Sequence, residues 1–200
     1  MKKIILFLCF LLLMQSFGFS VVITFEDLAR FVYVTNQYQA QGVIFSYSGN
    51  YGQTGSVSVP DFGVYPFGGD APMALCYGGP GDKLTFRFVT PGGTNGITDY
   101  VNFRIGDGDS ASETFRVSFF DINANLLHYE DHTTYSGAVD GGVDVIYSQA
   151  GIHKVEILGL PGQSGGSMDD LVFNPVQAVP EASSLMCVLL TILYLFWIKK

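Results

Sequence analysis

The fold this sequence predicts is all-β, with two antiparallel sheets packed face to face. Three observations predict it. Apolar and polar residues alternate through several short runs, as a half-buried strand requires. Clusters of Gly, Asn, Asp and Pro separate those runs and supply turns. Between residues 21 and 180 no stretch carries the period of an amphipathic helix.

The elements follow in order. Val22-Ile23-Thr24-Phe25 opens the domain and Glu26-Asp27 follows it; Val43 to Tyr47 and Val57 to Val59 are short and flanked by glycine. Met73 to Tyr77 runs into the turn cluster Gly78-Gly79-Pro80-Gly81. In Leu84 to Val89 the alternation places Leu84, Phe86 and Phe88 on one face and Arg87 on the other. Tyr100 to Ile105 repeats it with Val101, Phe103 and Ile105, and Thr114 to Asp121 with Phe115, Val117 and Phe119. Ile122-Asn123-Ala124-Asn125 then reads as a hairpin turn into Leu126 to Glu130. Val143 to Ser148, Ile152 to Leu158 and Met168 to Phe173 complete the set. In the last, strict alternation puts Met168, Asp170 and Val172 on one face and Asp169, Leu171 and Phe173 on the other. The aromatic and β-branched content suits a pleated, half-buried surface. The runs are shorter than the ~9–11 residues of a membrane-spanning strand, and no repeat of solenoid or propeller length is present.

The two ends differ from this body. Met1-Lys2-Lys3, the apolar run Ile4 to Met14 and the small-x-small triplet Gly18-Phe19-Ser20 predict a signal peptide over residues 1–20, cleaved after Ser20. The exported domain covers 21–175 and a linker 176–184; an apolar run of fourteen residues, Leu185 to Ile198, predicts a transmembrane helix, and Lys199-Lys200 forms a basic end. With Ala182 to Ser184 that run reaches seventeen residues, the lower end of what spans a bilayer. The terminal lysines place the end in the cytoplasm by the positive-inside bias.

The linker carries Val179-Pro180-Glu181-Ala182-Ser183-Ser184 directly before the apolar run. Motif, apolar helix and basic end in this order resemble the PEP-CTERM sorting tail of Gram-negative bacteria, with Val179, Pro180 and Glu181 as its sorting motif. Ala182 stands where that family has a second proline. The resemblance implies an exosortase-type processing enzyme as partner and a precursor held in the inner membrane. The expected destination is the cell envelope or extracellular matrix.

Net charge and cysteines narrow the function classes. The chain carries a formal charge of −8, and between the two terminal segments six basic residues stand against seventeen acidic ones, a balance of −11. An acidic body without a basic stripe repels nucleic-acid phosphate, which excludes a nucleic-acid partner. Cys9 and Cys187 fall in the terminal segments, so the exported domain keeps Cys76 alone and has no internal disulfide.

A second resemblance rests on the ends of the domain. Thr24-Phe25-Glu26-Asp27-Leu28 and Gly166-Ser167-Met168-Asp169-Asp170-Leu171-Val172-Phe173 resemble the terminal strands of jelly-roll ectodomains, found in carbohydrate-binding modules, MAM-like domains and PEP-CTERM exported proteins. The resemblance implies a jelly-roll sandwich whose first and last strands lie together. It also implies a structural Ca²⁺ where Glu26 or Asp27 meets Asp169 or Asp170, since calcium takes six to eight hard oxygens.

Other motifs point to no reaction. Asp107-Gly108-Asp109 with Glu113 has the start of an EF-hand spacing, but Ala111 and Ser112 occupy a ligand position and the glycine position, so a solvated loop is expected. Gly162-Gln163-Ser164-Gly165-Gly166 fits the nucleophile-elbow pattern without the strand and helix that would strain the serine. His128-Tyr129-Glu130-Asp131-His132 lacks the zincin order, and the three histidines are expected to be structural. No catalytic residue is assigned. The expected function is a non-enzymatic exported protein of the surface or matrix; the alternative is a carbohydrate-binding module for extracellular polysaccharide. In that alternative Tyr47, Tyr51, Tyr65 and Tyr135 near loops would stack on sugars.

Overall fold

The computed structural model describes residues 19–29, 31–49, 57–58, 74–77, 80–106, 112–134, 142–161 and 165–179. The predicted signal peptide up to residue 18, Pro180, Glu181 and the predicted transmembrane helix lie outside them. Among the described residues no helix is long and apolar enough to cross a membrane.

The described chain is all-β apart from one 3-10 turn, Gln39–Gln41. One sheet holds seven strands: β1 (Val21–Ile23), β3 (Val57–Ser58), β4 (Ala74–Tyr77), β6 (Gly96–Gly106), β9 (Val143–Ile152), β11 (Gly166–Phe173) and β12 (Gln177–Ala178). The other has five, in the order β2 (Val43–Ser48), β5 (Lys83–Phe88), β10 (Lys154–Gly159), β7 (Thr114–Phe120), β8 (Leu126–Thr133). Every pairing is antiparallel. Two such sheets without helices are consistent with the expected jelly-roll sandwich.

Alternation explains the packing. Leu84, Phe86 and Phe88 of β5 and Val155 and Ile157 of β10 are buried, as are Phe115, Val117 and Phe119 of β7; all point at the seven-stranded sheet. From that sheet Val101, Phe103, Ile105, Met168, Leu171 and Phe173 point back. Phe86 sits at the centre, its ring 5.9 Å from Phe45, 5.9 Å from Phe88 and 5.4 Å from Phe103. Such edge-on and tilted pairs add to the burial of each ring.

β11 departs from strict alternation. Asp169 lies opposite Arg104 and Val172 opposite Asn102, so β11 fits one extra residue into the register. Asp170 absorbs it with φ 52°. This bulge corrects the face assignment expected above: Met168, Leu171 and Phe173 all face the core, and Asp169 is buried with them. One side of β11 pairs with β6; the other is shared by β4, along Gly166–Met168, and β1, along Leu171–Phe173. First and last long strands therefore do lie together.

Other differences have local causes. β6 starts four residues before Tyr100, past a register shift at Asp99 that breaks the pattern. β12 forms from Gln177 and Ala178 of the predicted linker, pairing with Ile97 and Gly96. A Cβ on Gly96 would meet Val176 Cγ1 at 2.2 Å, so only glycine admits this close approach. In the β7–β8 hairpin the asparagine backbone N–H groups at 123 and 125 donate to Asp121 Oδ1 at 2.9 and 2.8 Å, while Ala124 takes φ 63°. The turn is thus built by Asp121 as much as by the asparagines.

Buried histidines couple the fold to pH. His153 is 7% exposed, its Nδ1 2.7 Å from Gly96 O. Burial holds its pKa below the ordinary 6.5, and burial does the same to His132 despite the carboxylates of Glu130 and Asp131. A histidine depressed in the folded state contributes stability above its unfolded pKa and loses it as pH falls towards the folded one. Glu156, Asp121 and Asp131 are lowered from 4.5, 3.8 and 3.8; their contribution goes at lower pH. The expected thermal midpoint is flat above about pH 6.5, declines below it, and declines again below about pH 4.5. His132→Gln should flatten the first decline; a midpoint unchanged between pH 7 and 5 would contradict this.

Candidate functional site

The predicted metal residues divide into two groups. β1 ends at Ile23, and Phe25 turns the chain with φ 61°, its carbonyl accepting from Leu28 N at 3.2 Å. The Phe25 ring is buried 5.6 Å from Tyr38 and 5.7 Å from Phe45, which anchors the turn and leaves Glu26 and Asp27 exposed. Tyr38 is held in turn by backbone bonds from Gln41 and Val43 to its carbonyl, at 3.0 and 3.2 Å. Its hydroxyl donates to Asp27 Oδ1 at 2.5 Å.

The β11 bulge buries Asp169. Tyr38 has its pKa raised, first by burial, then by the bond and charge of Asp27, then by the charge of Asp169, so the phenol stays protonated. Asp169 Oδ1 accepts from Asp170 N at 2.8 Å. Glu26 is exposed on the turn and Asp170 half-buried. A hard cation takes six to eight oxygens, so the two carboxylates of Asp27 and Asp169 alone would not complete its shell. Among the described residues no group of three or more His, Cys, Asp or Glu is placed to hold a metal on side chains alone.

A second feature lies beside it. Phe45 N donates to Thr35 O at 2.6 Å, so the segment before Tyr38 runs along β2. That brings Tyr33 onto Tyr47, ring centroids 5.6 Å apart and planes at 26°. Both remain open to solvent, at 44% and 43%. Tyr47 was singled out by its sequence position; Tyr33 was not, although the run Phe31-Val32-Tyr33-Val34-Thr35 carries a strand-like composition. Tyr51, Tyr65 and Tyr135 lie outside the described residues.

The third cluster is on the inward face of β8. Glu130 stands between His128 Nε2 at 2.7 Å and His132 Nε2 at 3.3 Å. The His128 ring is parallel to Tyr147, 5.1 Å away, and Tyr147 stacks on Phe119 at 4.3 Å. Tyr147 Oη donates to Gln149. Both histidine nitrogens engage this one carboxylate, and the trio is not among any group of side chains placed to hold a metal in the described residues. The stack closes one side of the sandwich, as a structural role requires. Glu113 differs from its expected solvated loop: it is buried, and its Oε2 accepts from Gly165 N at 3.2 Å. Asp107, Asp109 and residues 162–164 lie outside the described residues.

No protein-family model matches the chain, and no curated protein matches it. Several solved structures share its general form. The CBM22-1 xylan-binding domain from Paenibacillus barcinonensis Xyn10C is 12% identical, over 82% of this chain and 99% of that one, with a TM-score of 0.44. The CBM32 of AlyQ, solved with 4,5-unsaturated mannuronic acid, is 20% identical over 66% of this chain and 94% of that one, at a TM-score of 0.37. The MgGH51 α-L-arabinofuranosidase is 12% identical over 76% of this chain, with a TM-score of 0.48; the chain covers 25% of that enzyme's length. Likenesses at these values carry no argument about ligand or reaction, so the functional reading rests on the chain's own residues.

Proposed function

We propose that this chain is a non-enzymatic exported protein of the cell surface or extracellular matrix, sorted by its PEP-CTERM-like tail. The observation that carries the reading is the extent of the folded body. β1 begins at Val21, directly after the predicted cleavage point, and β12 ends at Ala178, directly before Val179-Pro180-Glu181. The two predicted processing points therefore fall outside the described strands. An exosortase-type enzyme would act near Pro180-Glu181 on a precursor held in the inner membrane by residues 185–198. Mass spectrometry of the mature protein from its host tests this. The expected C-terminus lies near Glu181, and Pro180→Ala with Glu181→Ala should leave full-length precursor in the membrane fraction. Recovery of the peptide ending at Lys200 from the surface fraction would refute it.

Within this reading Ca²⁺ is a structural cofactor held by Asp27 and Asp169; it would tie the turn after β1 to the β11 bulge. The alternative function, binding of extracellular polysaccharide, is favoured by the exposed Tyr33–Tyr47 pair, since paired rings present an apolar surface to a sugar face. Tyr33→Ala with Tyr47→Ala should then abolish retention on a neutral matrix glycan while leaving the melting midpoint within about 2–4 °C, as expected of two exposed positions. Equal retention by the double variant would remove the pair from the site.

A further inference from the structure

The outward face of the five-stranded sheet collects the domain's positive charge. Of the six basic residues between the terminal segments, Lys83, Arg87, Arg116 and Lys154 all lie on it, alternating with the buried residues of β5, β7 and β10. Among the described residues, Glu156 and Asp131 are the acids on that face. A solvated sheet face needs polar residues of either sign. Here a body with seventeen acids to six bases inverts its ratio on one surface.

Register arranges these charges in rows. Lys154 pairs directly with Arg87, and Leu158 lies between Lys83 and Arg116. Between the rows Glu156 is flanked by Thr85 and Ser118. Like charges directly opposite on neighbouring strands are unfavourable, so the Arg87–Lys154 pairing gives the fold nothing by itself. Three of the cations are held in place. Glu156 takes Lys83 Nζ at 3.2 Å and Lys154 Nζ at 2.9 Å, and its pKa is lowered because the two ammonium groups together outweigh burial. Lys154 also lies 4.1 Å from the Phe120 ring centroid. Arg116 grips Asp131 through Nε and a terminal nitrogen at 2.7 and 2.9 Å. Arg87 is exposed, with no hydrogen bond or ion pair found among the described residues.

We propose that this face binds an acidic polysaccharide, a single glycan chain bearing carboxylates. An ammonium has three donors and a guanidinium five, so the pinned cations keep donors for a second anion. Because they are already ordered, a ligand loses less side-chain freedom in meeting them. Lys83 and Arg87 stand four residues apart on β5, roughly 13 Å, with the hydroxyls of Thr85 and Ser118 between the rows. That suits a narrow chain carrying both carboxylates and hydroxyls. A broad anionic surface would also meet the acidic remainder of the body, which repels it. The inference deepens the polysaccharide reading by naming the ligand class, and moves it to a surface separate from Tyr33 and Tyr47.

The test is affinity electrophoresis of the full-length chain in detergent, with chelator, through gels holding polygalacturonate or neutral dextran. Polygalacturonate should retard the chain, dextran should not, and about 0.5 M salt should abolish the effect by screening. Arg87→Glu should weaken retardation about tenfold. Arg104→Gln on the opposite sheet should leave it unchanged. If Arg87→Glu melts early, Arg87→Gln gives the same comparison with a smaller charge change. Equal retardation by dextran, or none lost in either Arg87 variant, overturns the proposal. Loss in the Tyr33/Tyr47 double variant alone returns the glycan to that pair. Binding to phosphatidylglycerol micelles that Arg87→Glu weakens, without retardation by polygalacturonate, assigns the face to lipid and also overturns it.

Discussion

Phe86→Ala is expected to lower the unfolding free energy by about 3–5 kcal/mol. Phe86 is fully buried, and its ring is surrounded by Phe45 and Phe88 from its own sheet and Phe103 from the opposite one. Truncation removes the apolar transfer of a whole ring. It also leaves a void that rings anchored on two rigid sheets cannot collapse to fill. Against a total stability of about 5–15 kcal/mol, that loss is a large share of what holds the domain folded. For a domain of this size the melting midpoint should fall by about 6–20 °C. Phe86→Leu should recover much of the loss because it keeps most of the volume. Phe31→Ala, 59% exposed in the native chain, should change stability by no more than about 0.5 kcal/mol. A drop of less than about 1 kcal/mol for Phe86→Ala would mean that the ring does not bridge the sheets.

The second large effect is that of calcium. If Asp27 and Asp169 hold Ca²⁺ in the folded state alone, a hundredfold excess of ion over its dissociation constant adds about 2.7 kcal/mol. That corresponds to a rise of about 5–11 °C over chelator. The two carboxylates come from a turn near the first strand and a bulge in the last long one. An ion bound by both would hold the two ends together. Asp27→Asn and Asp169→Asn should each erase the difference between calcium and chelator, whatever they do to the midpoint itself. Glu26→Gln and Asp170→Asn should keep it. Equal midpoints for the parent chain with and without calcium would dismiss the ion.

The contrast between Asp169 and its neighbours also shows what the sequence could reveal. β5, β7 and β10 were legible because nothing interrupts their period of two, and every apolar residue on the expected face is buried. β11 was legible as a strand but not in its faces. The bulge is placed by an aspartate in a left-handed conformation, which glycine would have signalled and Asp170 does not. The same holds for Phe25 and Ala124, both at positive φ with no residue type to announce it. β9 continues four residues past Ser148 to Ile152, through Gly151 at φ 91°, where a turn was the natural reading. In the candidate site, Glu26, Asp27, Asp169 and Asp170 could be named as a set from their position in the terminal strands. The contact of Tyr38 with Asp27 was hidden, because it depends on how the intervening turn folds. The basic face was equally hidden: its four cations are spread over seventy positions and meet only through register.

The pairing of β1 with β11 bears on the order of events during synthesis. Val21 meets Phe173, about 150 positions later in the chain. Contacts of such separation are slow to form, because loop closure precedes any gain from them. The first strand to emerge on the far side of a membrane would wait, unpaired on that flank, until nearly the whole body had followed. Completion of the sandwich would then coincide with arrival of the segment just before the apolar tail. A chain halted short of residue 173 would present β1 and the inner face of β5 unsealed. If the chain is exported as proposed above, closure of the sandwich would coincide with the end of its passage across the membrane.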